Sequence, residues 1–243
     1  MRSQLNAERQ VTDNATDSRT DSVLVASGIR KSYGTPQGPL EVLQGTDLTV
    51  KRGTILAIVG ASGAGKSTFL NILGTLDHAD AGTVEISGRR VDHLNERELA
   101  RVRATQLGFV FQFHHLLPEF SAEENVMMPL LIAGNDAATA RRRAREALAA
   151  VGLNERWLHR PAELSGGEAQ RVAVARALAP APELVLADEP SGNLDQGAAG
   201  ALHELLTSLA RERGQTFVVV THNDRLASRA DRVLTLESGT LRG

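Results

Sequence analysis

The 243-residue chain contains no cysteine. Disulfides, thiolate chemistry and cysteine-held zinc or iron–sulfur centres are therefore excluded. Aromatic residues are scarce at 3%: six Phe, one Tyr and one Trp. Four of the phenylalanines (Phe109, Phe111, Phe113 and Phe120) are crowded into one stretch, and Met127 and Met128 follow it. Lysine is nearly absent, with Lys31, Lys51 and Lys66 standing in a basic set that is otherwise arginine. A basic excess is missing too. The formal net charge of −2 argues against a general nucleic-acid or anionic-membrane binder. Long apolar runs are also lacking. The longest, Ile55–Val59, Phe217–Val220 and Met127–Ala133, fall far short of the roughly 20 residues of a spanning helix. The opening MRSQLNAERQ has no apolar core of a secretory signal. The chain is expected to be soluble by itself, so that work at a membrane would require another polypeptide to hold it there.

What is present is an alternation of short apolar runs. Residues 1–22 are polar and without periodicity, and are expected to form a disordered tail. From Val23 onward, Val23–Ile29, Leu48–Val50, Ile55–Val59, Thr83–Ile86 and Leu107–Phe111 read as strands, and Ser67–Leu76 as a helix. The character changes over about residues 113–162. There Ser121-Ala-Glu-Glu124 is a capping-box pattern, and Asp136 caps an Ala- and Arg-rich helix ending near Gly152. Alternation then resumes with strands Leu184–Ala187, Thr216–Val220 and Arg232–Leu236 and helices Ala198–Arg211 and Asp224–Ala230. Leu202, Leu205, Leu206 and Leu209 give the first of these helices one apolar face. The pattern predicts an α/β core, residues 23–243, with a helical insertion.

The chemistry concentrates in three segments. Gly60-Ala61-Ser62-Gly63-Ala64-Gly65-Lys66-Ser67-Thr68 follows a strand and opens a helix. That is the context of a phosphate-binding loop, in which glycines turn backbone N–H groups inward around a phosphate. Lys66 would bring a cation to the β- and γ-phosphates, and the Ser67 hydroxyl a ligand for Mg²⁺. Downstream, Leu184-Val-Leu-Ala-Asp188-Glu189 is an apolar run ending in two carboxylates, placed where α/β sheets bind ligands. Asp188 suits magnesium, and Glu189 the activation of an attacking water. In Leu164-Ser-Gly-Gly-Glu168, Ser165 is an N-cap with Glu168 as its box partner. A helix start does not need Gly166 and Gly167, each costing roughly 1 kcal/mol relative to Ala. Their presence favours a second phosphate-contacting site.

With these motifs in this order, the sequence resembles the ATP-binding subunits of ABC transporters over nearly all of Val23–Gly243. The resemblance implies a P-loop NTPase core with a mixed sheet and an inserted helical subdomain, and an ATPase using ATP and Mg²⁺. It makes Leu164–Glu168 the family signature, Tyr33 the aromatic that stacks on adenine, and Gln112 the link from the magnesium and water site to the helical subdomain. Asp195, in Ser191-Gly-Asn-Leu-Asp195, falls in the loop that crosses to a partner subunit, and His222 becomes the histidine that senses the γ-phosphate. Two copies would pair head to tail, each ATP held between one phosphate loop and the other copy's Ser165-Gly166-Gly167. ATP would favour the closed pair because its contacts are complete only there.

The stretch Phe111-Gln-Phe-His-His-Leu-Leu-Pro-Glu-Phe120, with Asn125–Ile132, is similar to the branch of the family serving lipoprotein release from the bacterial inner membrane. Macrolide-exporter and cell-division types share much of it. This implies two transmembrane permease partners of the LolC and LolE type, peripheral attachment at the cytoplasmic face through them, and no nucleic-acid partner. The aromatic and aliphatic cluster would suit a groove for a short partner helix. His114 and His115 lack metal-ligand spacing, the Arg141, Arg142, Arg143 and Arg145 run reads as a solvated helix face, and Trp157 as a packing residue. Ala169 departs from the family, which places a long polar residue after the signature. A soluble ABC ATPase acting on DNA or ribosomes would carry a second cassette or a long coiled-coil insertion, and a small-molecule kinase would leave Leu164–Glu168 unexplained.

Overall fold

The computed structural model describes residues 21–36 and 38–243. The tail expected over residues 1–22 lies outside the described residues except for Asp21 and Ser22, and Ser22 already opens the first strand. Two sheets form. β1 (Ser22–Thr35) pairs antiparallel with β2 (Gly38–Lys51) and with β4 (Ala81–Ile86), and β5 (Arg89–Arg90) extends the edge, giving the order β2-β1-β4-β5. The second sheet runs β10-β9-β3-β8-β7-β6. It comprises β3 (Ile55–Val59), β6 (Leu107–Val110), β7 (Leu184–Asp188), β8 (Thr216–Val220), β9 (Arg232–Glu237) and β10 (Thr240–Arg242). All its pairings are parallel except β9 with β10.

The central strands β3, β7 and β8 are apolar apart from Thr216 and Asp188 at strand ends, because both of their faces are covered. Leu184, Leu186, Val218 and Val220 enter the core between the two sheets, which also takes Phe69 and Leu73 of α1 (Lys66–Leu73). Val185, Ala187, Phe217 and Val219 point the other way. They pack beneath α3 (Ala122–Ile132), α4 (Ala137–Ala150), α5 (Gly166–Leu178) and α6 (Gln196–Arg213). Helices α3, α4 and α5 all lie between β6 and β7 in the chain, and α3 and α4 open on the two expected caps, Ser121 and Asp136. α5 comes so close to β6 that a Cβ on Gly108 would stand 2.6 Å from the Ala177 carbonyl oxygen.

Several expected boundaries move. β1 and β2 each run 14 residues, because register shifts near Ala26 and Ile29 let the strands continue past the glycines and prolines that interrupt the apolar pattern. α1 stops at Leu73 rather than Leu76, where Gly74 caps it and Thr75 turns to a φ of 57°. α7 (Asp224–Ala227) is shorter than the expected Asp224–Ala230. A helix absent from the sequence reading, α2 (Glu96–Gln106), starts on the Asn95–Glu98 capping box. It buries only Leu99 and Val102, too few apolar positions for a periodicity to stand out. The arginine run is not simply solvated. Arg141 and Arg145 both pair with the buried Glu123, and the Arg145 guanidinium lies 3.5 Å over the Trp157 ring. Among the described residues no helix is long and apolar enough to cross a membrane.

Gly108→Ala pushes a methyl group into the α5 backbone. It is expected to lower the unfolding free energy by about 1–3 kcal/mol, read from urea denaturation. An unchanged midpoint would show that β6 and α5 can separate without cost.

Candidate functional site

The parallel strands β3, β6, β7 and β8 finish on one edge of the sheet, where open α/β sheets form their ligand crevices. A cleft of about 550 Å³ lies there, within the size range of small-ligand sites. Tyr33, Val42, Ser62, Gly63, Gly65, Lys66, Ser67, Thr68, Gln112, Asp188, Glu189 and His222 line it. Elements far apart in the chain thus deliver the predicted residues to one place.

The loop from Gly60 to Gly65 connects β3 to α1. Gly60 has a φ of 151°, and a Cβ there would stand 2.4 Å from the Leu236 carbonyl oxygen. Gly65 sits at 95° with Val42 2.6 Å from the same imaginary position. Both glycines are therefore required by backbone angle and by space. Lys66 is buried and folds back on its own loop, its Nζ donating to the carbonyls of Gly60 and Ala61, each at 2.9 Å. Ala64 closes the turn by donating its N–H to Ala61 at 3.2 Å.

Asp188 ends β7 beside this loop. Burial pushes its carboxyl above the ordinary carboxylate range; the Ser67 hydrogen bond pulls it back, the Glu189 charge raises it, and Lys66 opposes. Its Oδ1 is buried with no hydrogen-bond partner among the described residues. An unsatisfied buried carboxylate oxygen next to a serine hydroxyl suits a hard cation such as magnesium, which takes few protein oxygens and completes its shell with phosphates and water. Glu189 follows in the left-handed region at a φ of 46°, a conformation that costs a non-glycine residue about 1–3 kcal/mol. Three bonds hold it. Thr221 Oγ1 and the His222 N–H donate to Oε2 at 3.2 and 3.3 Å, and His222 Nδ1 lies 2.8 Å from Oε1.

Gln112 reaches across to the segment after Glu189. Its Nε2 donates to Asn193 Oδ1 at 3.0 Å, and Asn193 Nδ2 returns a bond to the Gln112 carbonyl at 3.2 Å. A Cβ on Gly192 would press on the Gln112 amide at 3.0 Å. Ser191 is buried and meets His203 Nε2 at 2.9 Å, so α6 anchors the same loop. Val42, Asn193, His203 and Thr221 escaped the sequence reading. Asn193 alone left a signal there, being inside the quoted Ser191–Asp195 segment.

Ser165, Gly166, Gly167 and Asp195 do not line this cleft. Ser165 and Gly166 are exposed at the start of α5, whereas Gly167 is buried 3.0 Å from the Ala198 methyl group, measured to its imaginary Cβ. Asp195 caps α6 by accepting from the Ala198 N–H at 2.9 Å. The Ser165–Glu168 capping box forms as predicted, with bonds of 2.9 and 3.2 Å. The Ser165 backbone N–H, the Arg156 guanidinium and the Ser165 hydroxyl lower the Glu168 carboxyl to about 2. Ala169 is buried among the helices and makes no approach to the cleft.

A phosphate loop, a carboxylate pair at the end of a parallel strand and a separate glycine-rich helix start define a P-loop NTPase of the ATP-binding cassette class. The chain belongs to the ABC transporter family, whose pattern matches residues 43–192, and it is an ATPase. Among its relatives are proteins called "Lipoprotein-releasing system ATP-binding protein LolD". That of Porphyromonas gingivalis is 52% identical over 219 residues, covering 90% of this chain and 98% of the relative. That of Bacteroides thetaiotaomicron is 54% identical over 215 residues, covering 88% and 97%. A bacterial ABC transporter cassette solved as a dimer is 38% identical, with a TM-score of 0.82 over 90% of this chain and 97% of that one. A post-hydrolysis dimer of the same type, bound to ADP and Pi, matches equally with a TM-score of 0.82.

Glu168 contributes stability that is full above its unfolded value of 4.5 and is lost as pH falls towards about 2. Glu168→Gln keeps the cap but not the charge. The variant is expected to unfold more easily than the parent at pH 7 by roughly 1 kcal/mol after solvent screening. In urea titrations at successive pH values that gap should shrink below pH 4.5. A gap independent of pH would contradict the charge assignment.

Proposed function

We propose that the chain is the ATP-hydrolysing subunit of an inner-membrane transporter that releases lipoproteins from the bacterial inner membrane for transfer to the outer membrane. The observation that carries the ATP mechanism is the division of the site. The exposed Ser165–Gly166 segment does not line the phosphate-loop cleft of its own chain. A second copy turned head to tail brings the missing half, and the dimeric cassettes among the similar structures support that pairing.

In this reading Tyr33 stacks on adenine, and the N–H groups of Gly60–Thr68 surround the phosphates. Lys66 leaves its two loop carbonyls for the β- and γ-phosphate oxygens, a compact ammonium suiting a tight backbone cradle. Ser67 and Asp188, with Gln112 beside them, would hold Mg²⁺, which when bound would supply positive charge to the phosphates. Glu189 accepts a proton from the attacking water, whose oxygen bonds to the γ-phosphorus as the bond to ADP breaks. The three bonds from Thr221 and His222 keep that carboxylate aimed, and His222 senses the γ-phosphate beside it. Asp195 belongs to the loop that crosses to the other copy.

Coupling to the membrane runs through Gln112. The segment after it exposes Phe113 at 64% and Leu117 at 41%, while Leu116 between them is buried. Arg176 fixes the backbone of that segment, donating to the carbonyls of His114 and His115 at 2.7 Å each. An apolar surface on a pinned segment, one residue from a cleft-lining glutamine, suits two permease subunits of the LolC and LolE type. The chain would sit on the cytoplasmic face as a peripheral subunit, held by those partners. The 52% identity to a LolD protein over 219 residues supports lipoprotein release as the task.

Glu189→Gln is expected to lower ATP turnover by about 100-fold or more while stabilising an ATP-bound dimer in size-exclusion chromatography. A variant that stays monomeric with ATP and still turns over would overturn the role of Glu189. Replacing Phe113 and Leu117 together by Ser should leave the isolated ATPase folded but abolish co-purification of the permease from solubilised membranes. Undiminished co-purification would remove these residues from the partner surface.

A further inference from the structure

The base end of the cleft carries a device that the catalytic reading does not use. Lys31 and Tyr33 are two residues apart on β1, so their side chains leave the strand on the same side. Beyond the end of α1 the chain doubles back, the Leu76 and Asp77 N–H groups both donating to the Asn71 carbonyl at 2.8 and 3.3 Å. This brings Asp77 against β1. Its Oδ2 accepts the Tyr33 hydroxyl at 2.8 Å, and its Oδ1 accepts Lys31 Nζ at 2.9 Å. Lys31 Nζ also donates to the His78 carbonyl at 2.7 Å and lies over the Tyr33 ring, 5.2 Å from its centroid. The ring is thus tied by its hydroxyl and backed by an ammonium on one face, yet remains 41% exposed and lines the phosphate-loop cleft.

We propose that Asp77 is a positioning residue for the nucleotide base: its two carboxylate oxygens hold Tyr33 and Lys31 together, so that the free face of the tyrosine ring waits in register with the phosphate loop. The inference rests on the reading of Tyr33 as the adenine platform. α1 makes the register possible. Lys66 begins the helix at the phosphate end, and the turn beyond Leu73 delivers Asp77 at the base end. One rigid element therefore sets the spacing between the platform and the phosphate cradle. A side chain already fixed in its binding orientation loses less rotamer freedom when the base stacks on it.

The test is titration calorimetry of the full-length chain with two ligands, ATP and inorganic tripolyphosphate, which has the phosphates but no base. Asp77→Ala should weaken ATP binding by about three- to tenfold and leave tripolyphosphate binding unchanged. Tyr33→Phe, which removes only the hydroxyl, should show the same selective loss, and the double variant should lose no more than either single one. Asp77→Asn, which keeps one acceptor for the tyrosine hydroxyl, should recover part of the affinity. In steady-state assays Asp77→Ala should raise KM for ATP rather than lower kcat. Equal weakening of ATP and tripolyphosphate by Asp77→Ala would overturn the proposal, because it would mark a general disturbance of the cleft. Unchanged ATP affinity in both Asp77→Ala and Tyr33→Phe, with a loss in Tyr33→Ala, would overturn the positioning role and keep the platform. Unchanged affinity in Tyr33→Ala would overturn the platform itself.

Discussion

The parallel alignment of β3, β6, β7 and β8 is the constraint on which the rest of the molecule depends. Because these strands run the same way, their C-terminal ends share one edge of the sheet. The phosphate loop leaves β3 there, Gln112 follows β6, Asp188 ends β7, and Thr221 and His222 follow β8. Such an arrangement is stable only if both sheet faces are buried, which explains why β7 and β8 are apolar except for Asp188 at the site end of one and Thr216 at the far end of the other. The two cores meet that demand, one between the sheets and one beneath the helices.

On this edge the sheet holds groups that are individually unfavourable. Glu189 takes a left-handed backbone, the half-buried Asp188 keeps a buried oxygen with no partner among the described residues, and Lys66 is buried against its own loop carbonyls. Each is a cost that a folded scaffold can carry when it positions charge for a ligand. The carboxylate of Glu189 and the amide of Gln112 are tied to neighbouring backbone and side chains rather than left free. Through Asn193 the loop after Glu189 is joined to Gln112, and through Gln112 to the segment that exposes Phe113 and Leu117. A change at the γ-phosphate therefore has a short physical route to the proposed permease surface.

Much of this was legible in the sequence because it depends on local pattern. The phosphate loop, the strand ending in Asp188 and Glu189, and the caps at Ser121, Asp136 and Ser165 each announce themselves within a few residues. What was not legible depends on tertiary approach. Thr221 and Asn193 become site residues only through bonds to Glu189 and Gln112, which lie 32 and 81 positions away. Asp77 meets Tyr33 across 44 positions. Glu123 carries no sign in the sequence of the pairing that buries it, which Arg141 and Arg145 of the next helix supply. The aromatic stretch read as one cluster divides in space. Phe109 and Phe111 stack with centroids 6.1 Å apart, while Phe113 turns to solvent.

In the proposed mechanism one chain holds only half of each ATP site. The absence of cysteine makes a clean measurement possible, since single thiols can be introduced without background. Ser62 and Gly166 are both exposed, one on the phosphate loop and one at the start of α5. Chains carrying Ser62→Cys and chains carrying Gly166→Cys are mixed in the Glu189→Gln background and oxidised with and without ATP. A disulfide-linked heterodimer on non-reducing gels is expected to form with ATP and not without it. No cross-link, or one that forms regardless of ATP, would contradict an ATP site shared between two copies.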